Sequence, residues 1–401
     1  MIQIIINIIE FALFCYLAIF GCYYLLFAVA SIFDNRDFSA NSKEKIKTPF
    51  RKYAVLIPGY MEDSVIIDVA KKALEQNYPK ELMDVIVIAD SFKQETLDCL
   101  KKLPIKVIEV SFDVSTKSKA LRRAMDVIDN DYHIALILDA DNVMESNFIE
   151  LIDLHFDKGF IAVQGHRVAK NLNTSFAVLD AISEEINNSI FRTGHVNIGL
   201  SSALIGSGMA FEYHFFKQRM SEINAIGGFD KELELTLLRD NHKISYAKDA
   251  IVYDEKVQKA EVFANQRRRW LSAQFVYFRR FALSGLKHLI LNGNFDFFDK
   301  VIQMISPPRI LLLFTIFSLF VFNFTLTYFS LIPDLIIHYS GWLALFVISL
   351  TALMIATPKK YYNIQTFYAL KTLPKAAIIM YKSLFKLKGA NKKFIHTQHG
   401  T

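Results

Sequence analysis

Cysteine is scarce in this chain, three residues in 401; Cys15 and Cys22 lie inside an apolar run and Cys99 stands alone. That spacing supports neither a disulfide framework nor a thiolate metal site. Charge is also thin, since 21% of residues are Asp, Glu, Lys or Arg against 52% apolar, and 35 are Phe. Such a composition excludes a disordered or fibrous chain. Acidic residues disappear from the end: positions 358–401 hold nine lysines and no Asp, Glu or Arg. The remainder is therefore slightly acidic although the whole chain is formally +6. This distribution argues against a nucleic-acid binder, whose excess charge sits on the folded core, and for a basic tail on a membrane surface.

Long apolar runs are what the sequence does have. Positions 1–33 carry one charge, Glu10; 311–331 carry none; 335–356 contain only His338 as a titrating group. Twenty-one helical residues span roughly 31 Å, the thickness of a bilayer's hydrocarbon, so three transmembrane helices are expected. Ala28-Val29-Ala30 has the look of a signal cleavage site. The run before it lacks a basic start and is about twice too long for a signal core, which favours an uncleaved anchor. Gln3 and Glu10 are expected to snorkel near the outer end. Arg36, Lys43, Lys45, Lys47, Arg51 and Lys52 follow the first run, while Ile332-Pro333-Asp334 between the last two carries no positive charge. By the positive-inside rule the central region and the tail face the cytoplasm, across a cell (inner) membrane.

Between the membrane segments, β-branched or apolar runs at 53–57, 85–89, 105–110, 134–138 and 160–163 alternate with amphipathic stretches at 65–76, 94–103, 118–128 and 147–156. The alternation predicts an α/β domain built on a mostly parallel, Rossmann-like sheet. Ligands of such sheets gather beyond the carboxyl ends of the strands. The first run ends in Pro58-Gly59-Tyr60-Met61-Glu62, the second in Asp90, the fourth in Asp139-Ala140-Asp141. A carboxylate closing an apolar strand loses hydration without compensation unless it has a partner, so three of them point to a shared polar ligand. Asp139 and Asp141, two residues apart and without Cys or His nearby, suit a hard divalent ion, Mg²⁺ or Mn²⁺, of the kind that bridges a diphosphate.

These motifs together resemble family 2 of the inverting nucleotide-sugar glycosyltransferases, which have the GT-A fold, in their membrane-bound, polysaccharide-synthase branch. The resemblance runs from about Tyr53 to Gln274. Pro58-Gly59-Tyr60-Met61-Glu62 is similar to the family's opening motif, Asp90 to its nucleotide-contacting Asp, and Asp139-Ala140-Asp141 to its metal-binding Asp-x-Asp. Gly206-Ser207-Gly208 resembles its acceptor-side loop, and Gln266-Arg267-Arg268-Arg269-Trp270 its Gln-x-x-Arg-Trp motif. The resemblance implies that Tyr60, Glu62 and Asp90 meet the nucleotide, uracil for a UDP-sugar. It places one of Lys117 and Lys119 on the same ligand, Gln266 and Arg269 near the diphosphate, and Gly206, Ser207, Gly208 and Trp270 around the acceptor. The family's base belongs to a Thr-Glu-Asp segment that this chain lacks. Alignment of the following Leu-Glu-Leu puts Glu232 in that position, with Asp230 and Glu234 as rivals.

The expected organisation is a transmembrane helix (1–33), a linker (34–52), the catalytic domain (53–262), interface helices (263–305), a transmembrane hairpin (306–356) and a basic tail (357–401). The tail is expected to break near Pro374, and 394–399 to act either as a lid or as a frayed end. The implied function is transfer of a sugar from a UDP-sugar, with inversion, to a saccharide or lipid-linked acceptor. Membrane lipids, other assembly subunits or a second copy are the expected partners. Two rivals stand beside it: a processive synthase that exports its product, and a non-catalytic sugar-nucleotide sensor or scaffold. Product-length distribution separates the first, and acceptor-dependent release of UDP the second.

Overall fold

A computed structural model describes residues 2–33, 50–223, 225, 227–329 and 336–385. Arg36, Lys43, Lys45 and Lys47, the turn at 332–334 and the segment 394–399 lie outside these described residues. Eight strands, β1 (Tyr53–Tyr60), β2 (Met83–Asp90), β3 (Lys106–Val110), β4 (Ile134–Ile137), β5 (Val143–Met144), β6 (Ala162–Ala169), β7 (Met209–Glu212) and β8 (Ile244–Asp254), form one sheet in the order β3-β2-β1-β4-β7-β6-β8-β5. β1 to β4 are mutually parallel, as the apolar runs imply. β7 is antiparallel to both β4 and β6, and β8 is parallel to β6. The two reversals cancel, so β8 ends on the same edge of the sheet as β1, β2 and β4.

Burial on both faces explains the unbroken hydrophobicity of the central strands. Ala54 and Leu56 of β1 pack with Ile86 and Ile137 in one layer. Val55 and Ile57 pack with Val85 and Leu136 in the other. Each fully buried aliphatic side chain contributes about 1.5–3 kcal/mol. The helices Ile66–Ala73, Gln94–Leu100, Lys117–Val127 and Phe148–Asp157 cover these layers, each within a few residues of its predicted stretch.

Three helices, Gln3–Ala30, Arg309–Tyr328 and Tyr339–Ala356, are long and apolar enough to cross a membrane. They pack on one another through Phe20, Tyr24, Ile316, Trp342 and Leu345. Glu10 lies level with the first turn of the third span, where the Trp342 indole N–H donates to its Oε1 at 3.4 Å across the bundle. A helix of 33 residues, Ala260–Asn292, and a shorter one, Phe295–Gln303, connect the sheet domain to the hairpin. After the hairpin come Ile364–Leu370 and Leu373–Leu384. Pro374 sits in the first turn of the second, where its missing N–H is harmless, so the break precedes it. Lys360 ties this region to Glu185 at 2.6 Å, and Gln365 donates to the Leu172 carbonyl at 2.6 Å.

Candidate active site

The strand ends open into one cavity of about 1290 Å³. Tyr60 and Asp90 are register partners at the ends of β1 and β2, and both line it together with Glu62. The chain leaves these strands through left-handed Met61 (φ 56°) and Ser91 (φ 60°). Those sharp turns hold the strand-end side chains at the edge of the sheet. Asp90 is buried and accepts from the Ser91 hydroxyl at 3.0 Å.

Beyond β4, Asp139 and Asp141 meet a third carboxylate, Asp254, at the end of β8; among the described residues this is the acidic trio whose oxygens lie within 4.8 Å of one another. The Asn142 amide donates to Asp141 at 3.0 Å and to Asp254 at 3.1 Å, and the Glu255 N–H donates to Asp141 at 3.2 Å. Oxygen donors alone, from three convergent carboxylates, fit a hard divalent cation. Lys117 pairs with Asp139 and donates to the Gly206 carbonyl at 2.7 Å. A lysine in the first turn of a helix opposes the macrodipole, and here the carboxylate and carbonyl outweigh that cost. Lys119 turns the other way, donating to the Val114 carbonyl at 2.8 Å, and does not line the cavity.

Behind the trio lies a buried ion cluster. Arg167 and Arg192 pair with Glu184 at 2.9 and 3.2 Å, Lys256 with Asp254 at 2.7 Å, and Arg167 with Asp254 at 3.7 Å. Burial pushes Glu184 and Asp254 up, but Arg167 and Lys256 outweigh it and hold both carboxyls below the usual range.

The Gly-rich segment divides its tasks. Gly206 (φ +84°) lines the cavity. Ser207 is fully buried behind the wall; its hydroxyl accepts from the Asp139 N–H at 2.8 Å and donates to Asn142. Gly208 (φ +59°) leaves no room for a methyl, since an added Cβ would lie 2.6 Å from Val252 Cγ1. Of the three residues expected at the acceptor, Gly206 lines the cavity, whereas Ser207 and Gly208 lie outside its lining, against the Asp139 turn and Val252 of β8.

The helix Phe229–Arg239 starts after Gly228 (φ +69°) and presents Asp230 to the cavity, beside Gly206. Burial raises the Asp230 carboxyl above the ordinary aspartate value, against the pull of Lys231 and Lys117. Glu232, two residues on and about 200° around the helix, faces away. It is held by Arg280 and by the Tyr277 hydroxyl at 3.4 Å. Glu234 is fully buried against Lys231 at 2.8 Å and Lys300 at 3.6 Å. Of the three acids named from the sequence, the structure therefore brings Asp230 to the cavity and leaves Glu232 and Glu234 outside its lining.

On the helix Ala260–Asn292, Gln266, Arg269 and Trp270 occupy i, i+3 and i+4 and so share one face, which lines the cavity. Burial lowers the Arg269 pKa. Between them, Arg267 pairs with Asp180 and stacks 4.5 Å over the Trp270 ring.

A family model described as "Glycosyltransferase like family 2" matches residues 49–273, more than half of the chain. The chain belongs to glycosyltransferase family 2. It is 25% identical over 237 residues to the probable glycosyltransferase YdaM of Bacillus subtilis (strain 168), covering 55% of this chain. The match spans about half, 54%, of that relative's length. Among solved structures, the mannosyltransferase PcManGT from Pyrobaculum calidifontis, in complex with GDP-Man and Mn²⁺, superposes with a TM-score of 0.53 at 13% identity. That superposition covers 88% of this chain and 97% of that one. S. aureus TarS 1-349 in complex with UDP-GlcNAc gives a TM-score of 0.39 at 14% identity, covering 85% and 90%.

Within this family 2 domain, the residue that sequence reasoning missed is Asp254. Its signal was present, because Ile251-Val252-Tyr253 is a run of strand-favouring residues closed by a carboxylate like the others. Arg167, Lys256 and Glu184, which set the charge around it, carry no motif at all.

Proposed function

We propose that this family 2 glycosyltransferase is membrane-anchored and faces the cytoplasm. It transfers a sugar from a UDP-sugar, with inversion, to a hydroxyl of a saccharide or lipid-linked acceptor in polysaccharide or glycoconjugate assembly. The observation that carries the reading is the convergence of Asp139, Asp141 and Asp254 in one cavity, with Tyr60 and Asp90 to one side and Asp230 to the other.

Asp90 accepts from a base N–H and Tyr60 packs on the flat base. Asp139, Asp141 and Asp254 would hold Mg²⁺ or Mn²⁺, which supplies positive charge to a diphosphate. Lys117 and Arg269 add cationic charge at the same cavity, where a leaving diphosphate gains negative charge. Asp230 takes the proton from the acceptor hydroxyl as that oxygen attacks the anomeric carbon opposite the leaving group. Trp270 offers its ring to the apolar face of a sugar.

Purified protein, a panel of UDP-sugars, Mn²⁺ and a membrane extract provide the test. The expected result is acceptor-dependent release of UDP with one donor. Asp139→Ala and Asp254→Asn should each weaken Mn²⁺-dependent UDP binding at least tenfold, about 1.4 kcal/mol. Tight UDP binding with no release for any donor would leave a sensor and remove the enzyme.

A further inference from the structure

The cavity does not end at the acidic trio. It continues past Gln266, Arg267 and Trp270, and its far wall is apolar. Leu313 and Phe314 come from the helix Arg309–Tyr328, Leu350 and Met354 from Tyr339–Ala356, and Phe367 and Leu370 from Ile364–Leu370. At about 1290 Å³ the space exceeds the roughly 300–1,000 Å³ of ordinary small-molecule sites. A second ligand therefore fits beside a nucleotide sugar.

Leu350, Met354, Phe367 and Leu370 line this space and are also exposed at the molecular surface, by 38, 53, 59 and 44%. Side chains that both line the cavity and are this exposed mark where it meets the surroundings. Leu350 lies six residues before the end of its span and Met354 two, so the opening is within about 9 Å of the span's end on the side of the sheet domain. Acyl chain, rather than water, surrounds a protein at that depth.

Where the apolar wall meets the polar half stands Arg309, the first residue of its helix. One of its guanidinium nitrogens, Nη2, donates to the Ser183 carbonyl at 3.1 Å and hydroxyl at 3.0 Å. The other, Nη1, is buried without a hydrogen-bond partner among the described residues, as are Arg267 Nε and Gln266 Oε1. An unsatisfied guanidinium donor is costly, and basic pockets between spans near the cytoplasmic face bind lipid phosphates.

We infer that the acceptor is a membrane lipid whose head carries both a phosphate and a free hydroxyl, and that it enters sideways from the bilayer. Its chain lies on Leu350, Met354, Phe367 and Leu370, its phosphate faces Arg309, and its hydroxyl reaches toward Asp230. The inference rests on the glycosyltransferase reading above and narrows its acceptor. The lipid oxygen forms a bond to the anomeric carbon, and the bond from that carbon to the diphosphate oxygen breaks. The hydroxyl proton passes to Asp230, and the nucleoside diphosphate departs with the electron pair. Two sources share this chemistry, a polyprenyl-diphosphate sugar and a glycerophospholipid with a hydroxylated head.

The test uses the full chain in phosphatidylcholine nanodiscs with radiolabelled UDP-sugars. Separate arms contain a polyprenyl-diphosphate-linked sugar, phosphatidylglycerol, diacylglycerol or free oligosaccharide. Label should enter the organic phase with one of the two phosphate-bearing lipids, and about tenfold less with diacylglycerol. Leu350→Trp and, independently, Met354→Trp should lower that transfer at least tenfold by filling the opening. Val347→Trp, on the same helix, 53% exposed and outside the cavity lining, should match wild type. Arg309→Met should reduce the preference for phosphate-bearing lipid over diacylglycerol. Faster transfer to free oligosaccharide than to any lipid overturns the inference, as do Leu350→Trp and Met354→Trp variants that behave like Val347→Trp. Donor hydrolysis by wild type without acceptor separates the two levels. Hydrolysis with no lipid product overturns only the lipid assignment, whereas neither reaction with any donor overturns the glycosyltransferase reading as well.

Discussion

Asp230 and Glu232 lie two residues apart on one helical turn and have opposite surroundings. Asp230 opens on the cavity with its carboxyl raised by burial, whereas Glu232 is closed off by Arg280 and Tyr277. If Asp230 is the base, it must be ionised to work. The rate should then climb with pH along a limb whose midpoint lies above the roughly 3.9 of a free aspartate. Asp230→Asn should lower kcat by about 10²–10⁴ and abolish that limb, while Glu232→Gln keeps it. The stability effect runs the other way. A carboxyl whose folded pKa is raised binds its proton more tightly in the native state, so folding loses free energy as pH rises through that range. At pH 7.5 Asp230→Asn should therefore melt no lower than wild type. A pH–rate profile and a melting curve on the same two variants check both, and a Glu232→Gln enzyme as inactive as Asp230→Asn would return the base to Glu232.

At the scale of elements, what the sequence makes readable is what depends on periodicity alone. β1, β2 and β4 are buried on both faces and announce themselves as apolar runs, so the polar residues ending them were found with no fold in hand. β8 escaped because Lys248 and Asp249 interrupt it at an irregularity opposite Gly165 and His166, and Asp254 escaped with it. Which acid of 230–234 faces the cavity was not readable for a different reason. Each residue turns a helix by about 100°, so a shift of one position in its start redirects every side chain, and that start is set by the left-handed Gly228. The helix Ser175–Asn187 shows a further limit, since its Glu184 is ordinary in sequence and central in space. Arg167, Arg192 and Lys256 surround it in the interior. Removing one member of a buried charge set strands the others, so Glu184→Gln should destabilise by about 3–5 kcal/mol. Because Glu184 is held below the ordinary carboxylate range, its contribution is fully present at neutral pH and is lost only in strong acid. Thermal denaturation in detergent should show the variant's deficit unchanged between pH 7 and pH 5; a deficit that vanishes by pH 5 would mean that Glu184 is not held in this way.

At the scale of the whole molecule, the cavity is built jointly by the sheet domain and by helices long and apolar enough to cross a membrane. The sheet domain supplies the acidic trio, the 33-residue helix contributes Gln266, Arg269 and Trp270, and the hairpin lines the far part of the cavity with apolar side chains. Gln3–Ala30 precedes the sheet domain and the hairpin follows it, so in a bilayer the domain and the basic tail share one side. That side is the cytoplasm if the lysines and arginines around the domain set the orientation. The chain carries its own reporter for this, because Cys99 is exposed on the sheet domain. In a Cys15→Ser, Cys22→Ser background, Cys99 becomes the single thiol of the chain. A membrane-impermeant maleimide added to intact cells should leave it unlabelled, and permeabilisation should bring labelling to completion within the same interval. Equal labelling before and after permeabilisation would put the domain outside, away from any cytoplasmic supply of nucleotide sugar.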